Sequence, residues 1–225
     1  MIALYTVNYR PTDMSSHTQD RQADVVQFPS VNDHARLRNV KRIKSVMDNK
    51  LFYLLDGLTT DVTDALFEEM RGMDEQDAIA SHFNIMRVLK VEAGTYRQEF
   101  GDFLERSWSN FVSGKDLPSV SEAEGKAGNL LQMYSRKHQN HYKILLEEIR
   151  LRFCNMTGQD LNFHPMLPVN FYLSFWHATR SLSLNNDERL LVMSMFHRFV
   201  MDRFGQVLAV VNDRMKALGI GAIKA

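Results

Sequence analysis

The stretch from His164 to Leu218, HPMLPVNFYLSFWHATRSLSLNNDERLLVMSMFHRFVMDRFGQVLAVVNDRMKAL, decides the fold. Met193, Phe196, Val200, Phe204, Leu208, Val211, Met215 and Leu218 follow one another at three- and four-residue steps, which places them on one face of a helix. Arg198, Asp202, Arg203, Gln206, Asn212, Asp213 and Lys216 fill the other face. Asn186 is the expected N-cap, with Asp187 and Glu188 in the first turn, where the helix dipole favours negative charge. Gly219 is the expected residue just past the end, because glycine enters the left-handed region without a Cβ clash. An unbroken helix from Asp187 to Leu218 would be roughly 48 Å long. Before it, Pro168 or Val169 opens a shorter helix that ends near Leu182. Phe171, Phe175, Trp176, Phe196 and Phe204 read as core rather than as a ligand site.

Toward the N-terminus the same period recurs. Leu37, Val40, Ile43, Met47, Leu51, Leu54, Leu55 and Leu58 predict a helix capped by Asn32 or Asp33. Gly57 and Thr59-Thr60-Asp61 predict a break and a new cap, followed by a short helix through Val62, Leu66, Phe67 and Met70. Asp74 caps a further helix to about Val112, whose near-heptad seam includes Ile79, Met86, Leu89, Tyr96 and Phe100. Gly94 and Gly101 mark a bend or a close approach within it. Residues 122–156 predict another helix, closed by Gly158. No segment alternates apolar and polar residues long enough for a half-buried strand. The reading is all-α, an elongated bundle of about five or six helices, several of them long. Its organisation is a leader over 1–32, a helical half over 33–112, a linker over 113–121, a second helical half over 122–220 and a tail over 221–225.

Composition narrows the function classes. Lys plus Arg and Asp plus Glu are 27 each, so no global field draws the chain to nucleic acid or anionic lipid, and nucleic acid is disfavoured as a partner. The one cysteine, Cys154, favours a reducing, cytoplasmic setting of bacterial type. The N-terminus lacks the basic and apolar regions of a secretion signal. No apolar run approaches the roughly 18 residues of a membrane span.

Catalytic motifs are missing. Neither Gly114-Lys115 nor Gly125-Lys126 follows a glycine at phosphate-loop spacing, and there is no Gly-x-Ser-x-Gly elbow. No catalytic or cofactor-binding residue is assigned, and no cofactor is expected. Among eight histidines, His138 and His141 share a helix three residues apart, the weak candidates for a metal site. The Glu-x-x-His and His-Glu-x-x-His patterns of helical metal enzymes are absent, so surface or core-edge histidines are the better account. The segment RLRNVKRIK concentrates Arg36, Arg38, Lys41, Arg42 and Lys44, the candidate partner-binding residues. Such a basic amphipathic helix suits an acidic protein, nucleic acid or an anionic membrane. Arg38-x-x-x-Arg42 also has the arginine spacing of PilZ-type nucleotide receptors, without their companion Asp/Asn-x-Ser-x-x-Gly element.

Four segments together resemble a bacterial family of unknown function, sometimes labelled thymidine-phosphorylase-like. They are LFYLLDGLTTDVTDALFEEM, HFNIMRVLKVEAGTYRQEF, HPMLPVNFYLSFWHATRSLSL and RLLVMSMFHRFVMDRFGQVLAVVNDRMKALGI, between Leu51 and Ile220. The resemblance rests on Asp56, on Asp64 to Phe67 and on the turn bracketed by Pro165 and Pro168, where His164 stands in place of the family's usual asparagine. Some longer members end in a PilZ-type domain, so the resemblance implies a link to bacterial signalling, while nucleotide binding is not expected of the present residues. It supplies no catalytic residues. The expected function is a non-enzymatic adaptor or regulatory module that contacts another protein, or a second copy of itself. Nucleic-acid or anionic-membrane binding through Arg36 to Lys44 is the alternative, and a metal-dependent helical-bundle enzyme is the third.

Overall fold

Apolar residues at helical spacing become helices throughout a computed structural model that describes residues 31–115 and 125–222, with side chains from residue 34. Among these residues there are eight α-helices and no strand. They are α1 (Val31–Met70), α2 (Gln76–Val91), α3 (Ala93–Val112), α4 (Gly125–His141), α5 (Lys143–Thr157), α6 (Pro168–Ala178), α7 (Asn186–Phe199) and α8 (Phe204–Ala217). Residues 1–30 of the leader expected over 1–32, most of the linker and the last three tail residues lie outside the described residues, while positions 31 and 32 already belong to α1.

α6 sits at the centre because its sequence is mostly apolar and its buried polar residues are served internally, Asn170 Nδ2 donating to the His164 carbonyl and Ser174 Oγ to the Asn170 carbonyl. All its residues except Val169 and His177 are buried, and α3, α4 and α7 pack around it. Phe175 stacks on Phe196 of α7 at 3.9 Å between ring centroids, and Phe100 of α3 meets both rings edge-on at 6.0 and 5.9 Å. Edge-to-face packing sets the positive ring edge against the negative ring face. Phe171, Trp176 and Phe204 are likewise buried, as is Trp108. A single hydrophobic cluster links helices from both sides of the 113–121 segment, with α1 packed on α8 and α3 on α6.

α1 is one helix of 40 residues, about 60 Å long at 1.5 Å per residue. The break expected at Gly57 to Asp61 does not occur. Leu54, Leu55, Leu58, Val62 and Leu66 keep the buried stripe continuous through it. The residues that resembled a cap are used otherwise. Thr59 Oγ1 contacts Tyr96 Oη at 3.0 Å, Thr63 Oγ1 donates to the Thr59 carbonyl, and Asp61 accepts from Arg203. Gly101 admits Phe52 of α1, whose Cζ would lie 3.3 Å from an added Cβ.

Three predicted long helices are instead bent. The one expected over 74–112 divides at Glu92, so α2 stays against α1 and α7 while α3 turns to α6. The one expected over 122–156 divides at Tyr142. The one expected over 187–218 divides at Val200, where a 3₁₀ turn, Met201–Arg203, separates α7 from α8. Its N-cap is Asn185, one residue earlier than predicted, in a capping box: Asn185 Oδ1 accepts from the Glu188 amide at 2.9 Å and Glu188 Oε2 accepts from the Asn185 amide at 2.8 Å. Gly219 does end α8 at φ 72°, and the Ile220 amide reaches back to the Met215 carbonyl at 3.0 Å. No described helix is long and apolar enough to cross a membrane.

Candidate functional site

The bends bring together polar side chains that are far apart in sequence. His138, from the end of α4, is 2% exposed, and His197, from the last turn of α7, is 9% exposed. Between them stands Tyr172 of α6, its hydroxyl 2.8 Å from His138 Nδ1 and 2.6 Å from His197 Nδ1. His138 Nε2 lies 3.2 Å from Asp202 Oδ1 in the 3₁₀ turn, and His197 Nε2 lies 3.2 Å from Lys137 Nζ.

The ends of this chain determine where its protons sit. An ammonium only donates and a carboxylate only accepts. Lys137 therefore donates to His197 Nε2, which leaves the His197 proton on Nδ1 to be donated to the Tyr172 oxygen. The Tyr172 hydroxyl then donates to His138 Nδ1, and His138 Nε2–H donates to Asp202. Every group in the relay is satisfied with both imidazoles neutral. The electrostatics agree. Burial pushes His138 below its usual pKa, and burial with the neighbouring His138 pushes His197 down to about 4. Burial, followed by the Asp202 charge, raises the Tyr172 phenol well above its usual value.

Aromatic walls hold the relay in place. Tyr134 stacks on His197 at 3.8 Å with the rings 4° from parallel, and its hydroxyl donates to Ser194 Oγ at 3.1 Å. Tyr142 stacks on His138 at 5.8 Å and donates to the Asp202 carbonyl at 3.0 Å. That position of Tyr142 requires Gly205, where a Cβ would come within 2.8 Å of Tyr142 Cε1.

Of the sequence candidates, His138 joins this cluster and His141 does not. His141 is exposed and meets only the edge of the Tyr142 ring among the described contacts. His177 lies elsewhere, stacked on Phe103 at 4.6 Å. Tyr172, His197, Asp202 and Lys137 were not assigned to a site from sequence. No local spacing relates them to His138, since they come from three further elements and from the opposite side of His138's own turn.

The basic segment splits into two groups. Arg36 Nη2 donates to the Val112 carbonyl at 3.1 Å, and Lys44 Nζ sits between Asp48 at 2.5 Å and Glu105 at 2.9 Å. These two tie α1 to α3 or to itself. Arg38, Lys41 and Arg42 are exposed, have no ion-pair partner among the described residues, and line an open groove with His34, Ser45 and Arg214. The far end of α1 has the opposite sign, with Asp61, Asp64, Glu68 and Glu69 beside Arg198 and Phe199.

A model for a protein family of unknown function, the DUF1631 N-terminal domain, matches residues 37–219. No curated protein and no solved structure matches the chain.

Proposed function

Since this chain belongs to the DUF1631 N-terminal-domain family, we propose that it is a non-enzymatic helical interaction module that docks an acidic segment of another protein on the outward face of α1. The observation that carries this reading is that Arg38, Lys41 and Arg42 have no ion-pair partner among the described residues and share one surface with the half-buried Arg214, on a chain whose charges otherwise balance. Trp108 and Trp176 are buried, and the exposed apolar side chains, Tyr53, Phe83 and Ile144 among them, do not line the groove of Arg38, Lys41 and Arg42, so charge is the recognition element on that surface. The same four cations make a poor nucleic-acid site. Neutralising four phosphates corresponds to a salt slope of about −3.6, weak beside dedicated binders. The likeness to longer chains ending in a PilZ-type domain supports a setting in bacterial signalling, and the lone Cys154 supports a cytoplasmic one.

The test compares wild type with the Arg38→Glu, Lys41→Glu, Arg42→Glu triple variant. A partner captured from the native host is purified and its binding measured against salt. Loss of binding with an unchanged circular-dichroism melt is the expected result. Equal capture by the triple variant refutes the reading. Salt-sensitive binding to duplex DNA or anionic vesicles, with no protein partner, replaces it with the membrane or nucleic-acid alternative.

A further inference from the structure

We propose that His138, His197 and Asp202 form a binding site for a divalent transition-metal ion of the zinc class, lying where the end of α4, the end of α7 and the Met201–Arg203 turn meet. One ring nitrogen of each histidine and a carboxylate oxygen of Asp202 lie within 4.8 Å of one another. Around a tetrahedral zinc ion, bonds of about 2.0–2.1 Å place neighbouring ligand atoms about 3.3 Å apart. The 3.2 Å between His138 Nε2 and Asp202 Oδ1 already matches that edge. The other edges, none longer than 4.8 Å, close when the His197 ring slides beneath Tyr134 toward the other two ligands.

The donor set has the right chemistry. Two neutral imidazoles and one carboxylate supply three ligands and leave a fourth position for water, and nitrogen with hard oxygen suits zinc-class ions. Metal-bound histidines are oriented by a hydrogen bond at their other nitrogen; with both Nε2 atoms on the ion, both Nδ1–H groups face the Tyr172 oxygen, which accepts from them. Stacking on Tyr134 and Tyr142 fixes the ring planes, and the Tyr142 bond to the Asp202 carbonyl anchors the third ligand's backbone. An ion can enter from solvent, because Asp202 and Lys137 are both exposed. It takes the place of the His138 Nε2 proton, which moves to Nδ1 so that the ring stays neutral, and the Tyr172 oxygen turns from donor to acceptor toward that ring. The ion also displaces the Lys137 ammonium from His197, so Lys137 competes with the metal for this site.

That competition separates a metal site from a purely structural hydrogen-bond relay. The full chain, purified without an affinity tag and stripped with chelator, is titrated with Co²⁺ and then challenged with Zn²⁺. The expected result is one equivalent of Co²⁺ per chain, the visible absorption of a low-coordinate cobalt centre, and its loss on adding Zn²⁺. Asp202→Asn and His197→Gln each weaken Co²⁺ binding at least 10-fold, by analogy with the ~10–100-fold losses seen when even outer-sphere partners are removed. His141→Gln leaves it unchanged, and Lys137→Ala tightens it. Asp202 is half-exposed, so Asp202→Asn keeps the test open if His197→Gln fails to fold. Absence of saturable binding, binding undiminished in Asp202→Asn, or weaker binding in Lys137→Ala overturns the site.

Discussion

Replacing Tyr172 with phenylalanine removes one oxygen and orphans two buried groups. In the metal-free protein that hydroxyl accepts from His197 Nδ1 at 2.6 Å and donates to His138 Nδ1 at 2.8 Å. Neither imidazole can recover by switching tautomer, because Lys137 and Asp202 hold the outer nitrogens. Each unsatisfied buried group costs about 1–3 kcal/mol, so the expected loss for the two is about 2–6 kcal/mol. For a domain of this size that lowers Tm by on the order of 10 °C. Tyr96→Phe is the internal comparison, since its hydroxyl meets a single side-chain hydroxyl, Thr59 Oγ1 at 3.0 Å, and its loss is expected to cost about 1 kcal/mol. Urea denaturation of both variants gives the numbers. A cycle with His197→Phe is expected to show strong non-additivity, because the two side chains belong to one relay. A Tyr172→Phe loss below about 0.5 kcal/mol, or simple additivity in the cycle, refutes the relay as described.

Two further outcomes follow from buried charge and buried histidine. Arg152, 7% exposed, donates to Asn212 Oδ1 at 2.8 Å, to Glu148 Oε1 at 2.7 Å and to the Ile220 carbonyl, tying α5 to α8 and to the chain beyond it. Arg152→Met leaves the Asn212 Oδ1 and the Ile220 carbonyl without their donor, at about 1–3 kcal/mol each in chemical denaturation, and Arg152→Lys is expected to recover only part of it because an ammonium cannot reproduce the guanidinium fork; a lysine variant as stable as wild type would contradict this. His164, packed on Phe153 at 5.6 Å, is held by burial and by the nearby Arg150 charge at about 3. The unfolded chain takes up that proton near pH 6.5, so the native state loses stability as pH falls between about 6.5 and about 3, by up to about 1.4 kcal/mol per unit, and gains nothing above that window. His164→Gln is expected to flatten this part of the acid limb, and denaturation curves for the two proteins that stay parallel on acidification would rule the assignment out.

The helices were legible because their signal is local. Pro168 at the start of α6, Gly158 after α5 and Gly219 after α8 act through their own backbone conformations, and the structure uses all three as read. Misreadings occurred where a local cue had a distant use. Thr59 and Asp61 looked like a new cap because Ser, Thr and Asp favour helix starts, yet they bond to Tyr96 and Arg203. The bend at Val200 left no trace in the apolar pattern, since Phe196, Val200 and Phe204 are all buried on both sides of it. His138 stood out in sequence only through its spacing to His141, the neighbour it does not use.

By itself the sequence determined an all-α chain, its aromatic core and the helix ends marked by Pro168, Gly158 and Gly219, because 3.6-residue periodicity, prolines and left-handed glycines are properties of a few adjacent residues. Only the tertiary structure decided that α1 runs unbroken, that Arg36 and Lys44 are spent inside the fold while Arg38, Lys41 and Arg42 remain outside, and that Tyr172 joins His138 to His197. Those outcomes depend on which distant surfaces meet. A hydrogen bond needs its partners within about 3 Å and well aligned, a condition set by the bends at Tyr142 and Val200 rather than by any spacing along the chain.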